Sequence, residues 1–143
     1  METQVEIAIA KIKEIEFSIQ PSITFNPKEG FNVGFAVANT TDVEKQEIDF
    51  QITIDFKDKV TNENVVHIKA SNKFFINEMK KFVVEKDRSL DLPEDVMITM
   101  LSLSISHTRA LLAKGTLGTP YEDQYFPIIN PKEIARQVFK ANP

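Results

Sequence analysis

The chain has 143 residues, of which 42% are hydrophobic and 27% charged, and this size and composition predict one globular domain, residues 1–143, with its own core. The net charge of −4 argues against nonspecific nucleic-acid binding, which needs a basic patch, and the lack of cysteine excludes disulfides, thiol catalysis and thiolate zinc sites. We expect a cytoplasmic protein that does not insert into membranes, because no signal peptide is visible and no apolar stretch reaches the length of a membrane span.

Alternation of apolar and polar residues predicts four β-strands in the first half of the chain. The four stretches are residues 4–19, 31–39, 46–57 and 64–77. In the first stretch, Lys11 and Lys13 interrupt the apolar positions, which predicts a strand with a bulge or a strong twist near residues 10–13. The third stretch is the most regular and has five apolar residues on one face: Ile48, Phe50, Ile52, Ile54 and Phe56.

The connectors between these stretches predict an antiparallel sheet. Residues 20–30 form a long loop with two prolines, whereas residues 39–46 and 57–64 have the Asn, Asp and Lys content of hairpin turns. Four antiparallel strands with one long connection form a meander or a Greek key, and the sequence does not distinguish the two. Residues 77–92 carry no clear pattern.

A long helix is predicted from Pro93 to Lys114. Pro93 followed by Glu94 and Asp95 is typical of a first helical turn, and Gly115 is predicted as the residue that ends the helix. Apolar residues lie on nearly all sides of this helix, more than one sheet can cover. We therefore predict that a second copy of the chain covers part of it. Four residues are assigned to that interface: Met97, Met100, Leu101 and Ile105.

The segment after this helix, AKGTLGTPYEDQYFPIINP at residues 113–131, is too apolar for an idle loop. It contains three aromatic residues: Tyr121, Tyr125 and Phe126. A short second helix follows, for which Asn130 is the predicted N-cap and Pro131 the first helical residue. The aromatic side chains of this connector are either covered by the rest of the protein or cover something themselves.

No catalytic or metal-binding motif is found in the sequence. His67 and His107 are far apart and lack ligands at metal-binding spacing, so each is predicted to be a partly buried structural histidine. The carboxylate pair Glu122-Asp123 in the aromatic connector is open to acid–base chemistry, but a solvated loop edge is the better interpretation. We predict neither an enzyme nor a cofactor or metal site.

The order of these segments resembles the SecB export-chaperone family over nearly the whole chain. The most telling stretch is TRALLAKGTLGTPYEDQYFPIINPKEIARQVF, with an Arg late in the long helix, a Gly-Thr exit, an aromatic-proline connector and a short amphipathic helix. KEIEF at residues 13–17 is similar to the first strand of that family. The resemblance implies an α+β fold, in which a long helix packs on a four-stranded antiparallel Greek-key sheet and a short helix ends the chain.

The resemblance also implies an ATP-independent holdase. Family members form homotetramers, as dimers of dimers, hold unfolded precursor polypeptides in apolar grooves, and deliver them to the SecA motor of the export machinery. Because the connector after the long helix lines those grooves, its residues Tyr121, Tyr125 and Phe126 are assigned to client binding. Phe74 and Ile76 of the fourth predicted strand are assigned to client binding as well. For Phe74 and Ile76, packing in the core is an equally good alternative.

The face expected to dock SecA departs from the acidic pattern of the family. Glu14 matches one position that is acidic in the family, but two other such positions are occupied here by Ser18 and Lys69. The sequence given also ends at KANP rather than in an acidic tail. Such changes weaken docking to a basic partner. Three alternatives stay open: a SecB-like chaperone that controls a toxin–antitoxin pair, an oligomeric structural or interaction protein, and a small-ligand-binding α+β domain.

Overall fold

Four long β-strands and two α-helices make up the computed structural model of the chain, which describes residues 5–20, 31–86, 89–124, 126 and 129–139. The strands are β1 (Ile7–Ile19), β2 (Phe31–Asp42), β3 (Glu47–Asp58) and β4 (Asn64–Ile76), and the helices are α1 (Glu94–Thr116) and α2 (Pro131–Phe139). Between β4 and α1 lie a 3₁₀ helix (Met79–Phe82) and a small hairpin made of β5 (Val83–Val84) and β6 (Ser89–Leu90).

The four long strands form one antiparallel sheet in the order β1-β4-β3-β2. Tight turns join β2 to β3 and β3 to β4, whereas β1 and β2 lie on opposite edges of the sheet. This is the Greek-key order, so the α+β fold is confirmed and the meander is excluded. In the second turn, the Asp58 carboxylate accepts hydrogen bonds from the backbone N–H groups of Val60 and Thr61, at 2.8 and 3.0 Å.

β1 is an edge strand with two bulges. Its pairing with β4 shifts between Ile9 and Lys11, and again between Glu14 and Glu16. The first shift confirms the bulge predicted near residues 10–13, and the second is an additional finding. Each bulge adds a residue to one strand alone, which increases the local twist of an antiparallel pair. Most residues of β1 are exposed.

The core lies between one face of the sheet and α1. From β3 it contains the five alternating apolar residues predicted for one face, all of which are buried. The buried residues of α1 recur every three or four positions: Met97, Met100, Leu101, Ser104, Ile105, Thr108, Leu112 and Thr116. The hydroxyls of Ser104, Thr108 and Thr116 donate to the carbonyl oxygens four residues earlier, at 2.8 to 3.0 Å, which satisfies these buried polar groups within the helix.

α1 extends beyond its predicted end. The sequence predicts Gly115 as the residue that follows the helix, but in the structure Gly115 lies inside it and Thr116 is the last helical residue. A Cβ atom at Gly115 would lie 2.6 Å from the ring of Phe17 in β1, so glycine permits a close approach of helix and strand here. Among the glycines that the structure describes, Gly118 is the one with a left-handed backbone, with φ of 77°.

α1 is also long and apolar enough to cross a membrane, by length and composition only. From the sequence we expect no stretch of this length, but residues 96–108 of α1 contain no Asp, Glu, Lys or Arg, which keeps the mean hydropathy of the helix high. Core helices of soluble proteins meet the same criteria, so that one such helix is weak evidence for a membrane span. In this structure the buried face of α1 packs on the sheet.

Candidate functional site

A groove of about 440 Å³ lies between the C-terminal half of α1 and the connector that follows it. The helical side contains the small residues Ser106, Ala110 and Ala113, together with Leu112 and Thr116. Aromatic residues line the other sides: Phe56, Tyr121 and Phe126. Arg109 and Glu122 contribute one charge of each sign. We call this feature the connector groove.

Tyr121 fastens the connector to the sheet. Its buried ring lies 5.7 Å from the ring of Phe31, which stacks on Phe56 at 5.9 Å. The Tyr121 hydroxyl donates a hydrogen bond to the backbone carbonyl of Gln20, 3.0 Å away. Burial and then the negative charge of Asp58 raise the pKa of Tyr121, so its hydroxyl keeps the proton that it donates.

Phe126 holds a later part of the connector against β2. Its ring centroid lies 6.2 Å from that of Phe35, and the guanidinium carbon of Arg109 lies 5.6 Å from the same Phe126 centroid. The second distance is within the range of a cation–π interaction. Two of the three predicted connector aromatics, Tyr121 and Phe126, therefore line the groove, whereas Tyr125 lies outside the described residues.

The carboxylate of Glu122 shapes the turn at the start of the connector. It accepts a hydrogen bond from the backbone N–H of Gly118, at 2.9 Å. Both Glu122 and its neighbour Asp123 are exposed. These observations agree with the interpretation of this acid pair as a solvated loop edge.

The remaining residues assigned to client binding lie elsewhere. Phe74 and Ile76 are fully buried, on the face of β4 that α1 covers. They have no surface for a client in this conformation, and the structure shows the core packing that the sequence leaves as an alternative.

The four residues assigned to the oligomer interface, Met97, Met100, Leu101 and Ile105, are buried within a single chain. Because almost none of their surface is exposed, a second copy would contact the opposite face of α1, where Leu103 is exposed. Self-association stays a prediction.

Glu14, assigned to motor docking, is exposed and pairs in register with Ala70. Ala70 is buried on the side of the sheet that α1 covers, and directly paired residues of an antiparallel sheet share a face. The register therefore places Glu14 on the helix side of the sheet, while Lys69 pairs with Glu16 on the outer side. The docking role of Glu14 stays a prediction.

His67 lies between two carboxylates on the outer side of the sheet. Its Nε2 is 2.8 Å from Glu16 Oε2, and its Nδ1 contacts Asp55 Oδ1. Partial burial lowers the pKa of His67, but hydrogen bonds to Asp55 and Glu16 outweigh burial, so the net pKa is raised. Its partners come from β3 and β1, so no local spacing in the sequence reveals this cluster.

His107 of α1 packs against β4. Its Nδ1–H donates to Asn72 Oδ1 at 3.2 Å, and burial lowers its pKa. Asn72 also donates to the carbonyl oxygen of Phe50, at 3.2 Å. Both histidines thus have structural partners, as predicted, and the described residues contain no group of His, Asp and Glu arranged to hold a metal ion.

Comparison with known proteins shows a SecB-like fold. No protein-family model matches the chain, and no curated protein matches it. Among solved structures, the SecB-like chaperone Rv1957 of Mycobacterium tuberculosis, in complex with a ChAD peptide from the Rv1956 HigA1 antitoxin, gives a TM-score of 0.57. The match covers 86% of this chain and 90% of that chain, at 14% sequence identity. That neighbour is a chaperone rather than an enzyme, and at this identity the likeness shows the fold alone.

Proposed function

We propose that this protein is an ATP-independent chaperone that holds unfolded segments of other polypeptides in the connector groove. The observation that carries the proposal is the groove itself, which is lined by residues of α1 and by three aromatic residues, of which Phe56 and Tyr121 are buried and Phe126 is partly exposed. Its volume of about 440 Å³ is within the range of ligand-binding pockets and suits a few side chains of an extended chain. The SecB-like fold supports a chaperone-like role, and the antitoxin peptide bound to the Mycobacterium neighbour supports polypeptide binding.

Binding of this kind needs no covalent chemistry. Burial of apolar client side chains contributes ~25 cal/mol per Å² of surface removed from water. The entropy lost when the client is ordered offsets much of this gain. We therefore expect weak and reversible binding, with affinity set by how many apolar client residues contact the groove.

A bulky side chain in the connector groove tests the proposal. Ala110 is exposed and lines the groove, so Ala110→Phe fills it without disturbing the core. Ala36, which is exposed on the outer side of β2, provides the matched control Ala36→Phe. Suppression of the aggregation of a chemically unfolded client, followed by light scattering, should weaken in Ala110→Phe and persist in Ala36→Phe. Equal suppression by both variants, with unchanged circular dichroism, would exclude the groove as the client site.

We also propose that the protein self-associates, as a dimer or a dimer of dimers, through β1 and the open face of α1. Ile9, Ile12 and Ile15 of β1 are 51%, 40% and 42% exposed, and Leu103 of α1 is 36% exposed. Ile9 and Ile12 pair in register with buried residues of β4, so they lie on the helix side of the sheet, beyond the cover that α1 provides. Several exposed isoleucines on one edge strand support an interaction site at this edge of the sheet.

Native mass in solution tests self-association directly. Multi-angle light scattering of the unmodified protein should give a dimer or tetramer mass, and Ile12→Glu should shift it toward the monomer. Ala36→Glu, on the other side of the sheet, should leave the mass unchanged. A monomeric mass for the unmodified protein at all concentrations contradicts self-association but leaves the client proposal standing.

A second candidate function is the control of one dedicated partner, as in a toxin–antitoxin pair. The observation that favours it is the antitoxin peptide bound to the Mycobacterium SecB-like chaperone. A general holdase protects several unrelated unfolded clients, whereas a dedicated chaperone protects one. Suppression assays with a panel of unrelated clients distinguish the two, and failure with every member of the panel favours the dedicated role.

A further inference from the structure

Four lysines cluster on the outer side of the sheet, opposite the connector groove. Lys11 and Lys13 belong to β1, and Lys69 and Lys73 belong to β4. Along each strand, these lysines alternate with residues whose side chains face the helices. The four lysines therefore lie on the side of the sheet opposite to both helices. We call these four residues the lysine patch. Lys11 and Lys13 are exposed, and Lys69 and Lys73 are half-buried.

The register brings these charges close together. Lys11 pairs directly with Lys73, and Lys13 pairs with Ser71, which stands between Lys69 and Lys73 along β4. Side chains of directly paired residues are ~5 Å apart at Cβ, and diagonal neighbours are ~7–8 Å apart. Like charges in direct cross-strand pairs destabilise a sheet, so this arrangement has a cost to folding.

Neighbouring acids neutralise the patch only in part, because its four lysines face two carboxylates: Glu16 pairs in register with Lys69, and Asp49 with Lys73. Glu16 is engaged with His67, and Asp49 accepts hydrogen bonds from the Ser71 hydroxyl at 2.7 Å and the Asn72 N–H at 3.1 Å. Within the described parts of the chain, ion pairs are formed by His67 and by Lys81, and none is formed by a lysine of the patch. A chain with a net charge of −4 thus carries a local excess of positive charge on one half of its outer sheet surface, where Lys11 and Lys13 have no acidic partner in register.

We propose that the lysine patch docks an acidic segment of a partner protein. Lys11 and Lys13 are two residues apart on a strand, so their side chains repeat every ~7 Å, the spacing of alternate carboxylates in an extended peptide. Charge complementarity sets the orientation and rate of such an encounter. The net negative charge of the chain disfavours long polyanions, whereas a short acidic segment meets only the patch.

The proposal goes beyond the proposed holdase function, because patch and groove lie on opposite sides of the sheet and can be occupied together. It also reverses the polarity that the SecB resemblance implies. An outer surface with Lys69 and Lys73 fits an acidic partner better than a basic one.

A short labelled peptide of alternating glutamate and serine is the probe for the patch, and fluorescence anisotropy with the unmodified protein is the measurement. The test variant is Lys11→Gln with Lys73→Gln, and the matched control is Lys45→Gln with Lys59→Gln, two exposed lysines of the hairpin turns. We expect the acidic peptide to bind, salt to weaken it, and the test variant to bind about fivefold more weakly, since exposed ion pairs each contribute modestly. The control variant should bind as the unmodified protein does.

Several outcomes overturn the proposal. They are failure of the acidic peptide to bind, equal binding of a glutamine-serine peptide, and an equal loss of affinity in the control variant. Tighter binding of a single-stranded oligonucleotide of the same charge would make the patch a nucleic-acid surface instead. The test variant should still suppress client aggregation, because the groove is untouched; loss of suppression would show that patch and groove are one site.

Discussion

Replacement of Gly115 by alanine tests the closest approach between α1 and the edge strand β1. A Cβ atom at Gly115 would lie 2.6 Å from both Cε2 and Cζ of Phe17. Carbon atoms that are not bonded to each other prefer separations of about 3.5–4.0 Å, so either the Phe17 ring or the helix end must move by about 1 Å. Gly115 is inside the helix and has no positive φ, so the close approach, rather than backbone conformation, is the reason for glycine here.

Two effects of opposite sign determine how much Gly115→Ala changes the free energy of unfolding. Alanine favours a helix over glycine by up to about 1 kcal/mol, and by less near a helix end. Overpacking of a well-filled site costs about 1–3 kcal/mol. We therefore expect Gly115→Ala to lower the free energy of unfolding by about 1–2 kcal/mol. Phe17→Leu removes the two clashing ring atoms, so in that background Gly115→Ala should be neutral or slightly stabilising.

The assay is urea unfolding of the four proteins of this double-mutant cycle at one protein concentration. The expected coupling energy between Phe17 and Gly115 is about 1–2 kcal/mol, in the range found for residues in contact. If Gly115→Ala destabilises both backgrounds equally, the cost comes from the helix backbone and the packing argument is wrong.

Three further outcomes follow from the described contacts. Tyr121→Phe should lower the free energy of unfolding by about 1 kcal/mol, because it removes the hydroxyl that donates a hydrogen bond to the Gln20 carbonyl. Urea unfolding measures this change, and an unchanged free energy of unfolding would contradict the prediction. The pKa of His67 is raised in the folded state, so its stabilising contribution is complete below pH ~6.5 and is lost as the pH rises through the folded-state pKa. His67→Gln should therefore flatten the pH dependence of the melting temperature above that pH. An unchanged profile would contradict a raised pKa of His67 in the folded state. Asn72→Leu should cost about 1–3 kcal/mol on urea unfolding, because Asn72 is buried and bonded to the Phe50 carbonyl, and a neutral effect would contradict a structural role.

Local periodicity predicts the strands of this protein well. The alternation in β3 identifies its buried face, since each of its five apolar residues faces the core. The first bulge in β1 is also predicted by the sequence, because Lys11 and Lys13 interrupt the alternation of apolar and polar residues. Strand order needs long-range pairing, and the sequence alone leaves it open between meander and Greek key.

The candidate site is predicted only in part. The apolar connector points to Tyr121 and Phe126, because aromatic residues in a loop need a covering surface. The sequence cannot distinguish a client-binding role from core packing for Phe74 and Ile76, because the face of the strand that is buried depends on which side of the sheet the helix packs against. The His67 cluster joins residues from three strands, and such a contact has no local signature.

The order of strands in the sheet also orders the events of folding. Ile7 at the start of β1 pairs with Ile76 at the end of β4, whereas β2, β3 and β4 pair with their neighbours in the chain. Contacts between distant residues form late, because loop closure costs entropy before the contact repays it. We therefore expect β1 to join a sheet already formed by β2, β3 and β4, and during synthesis β1 cannot pair with β4 before β4 has been made. The last strand to dock is also the most exposed, so we expect it to be the first to detach when the folded protein opens locally.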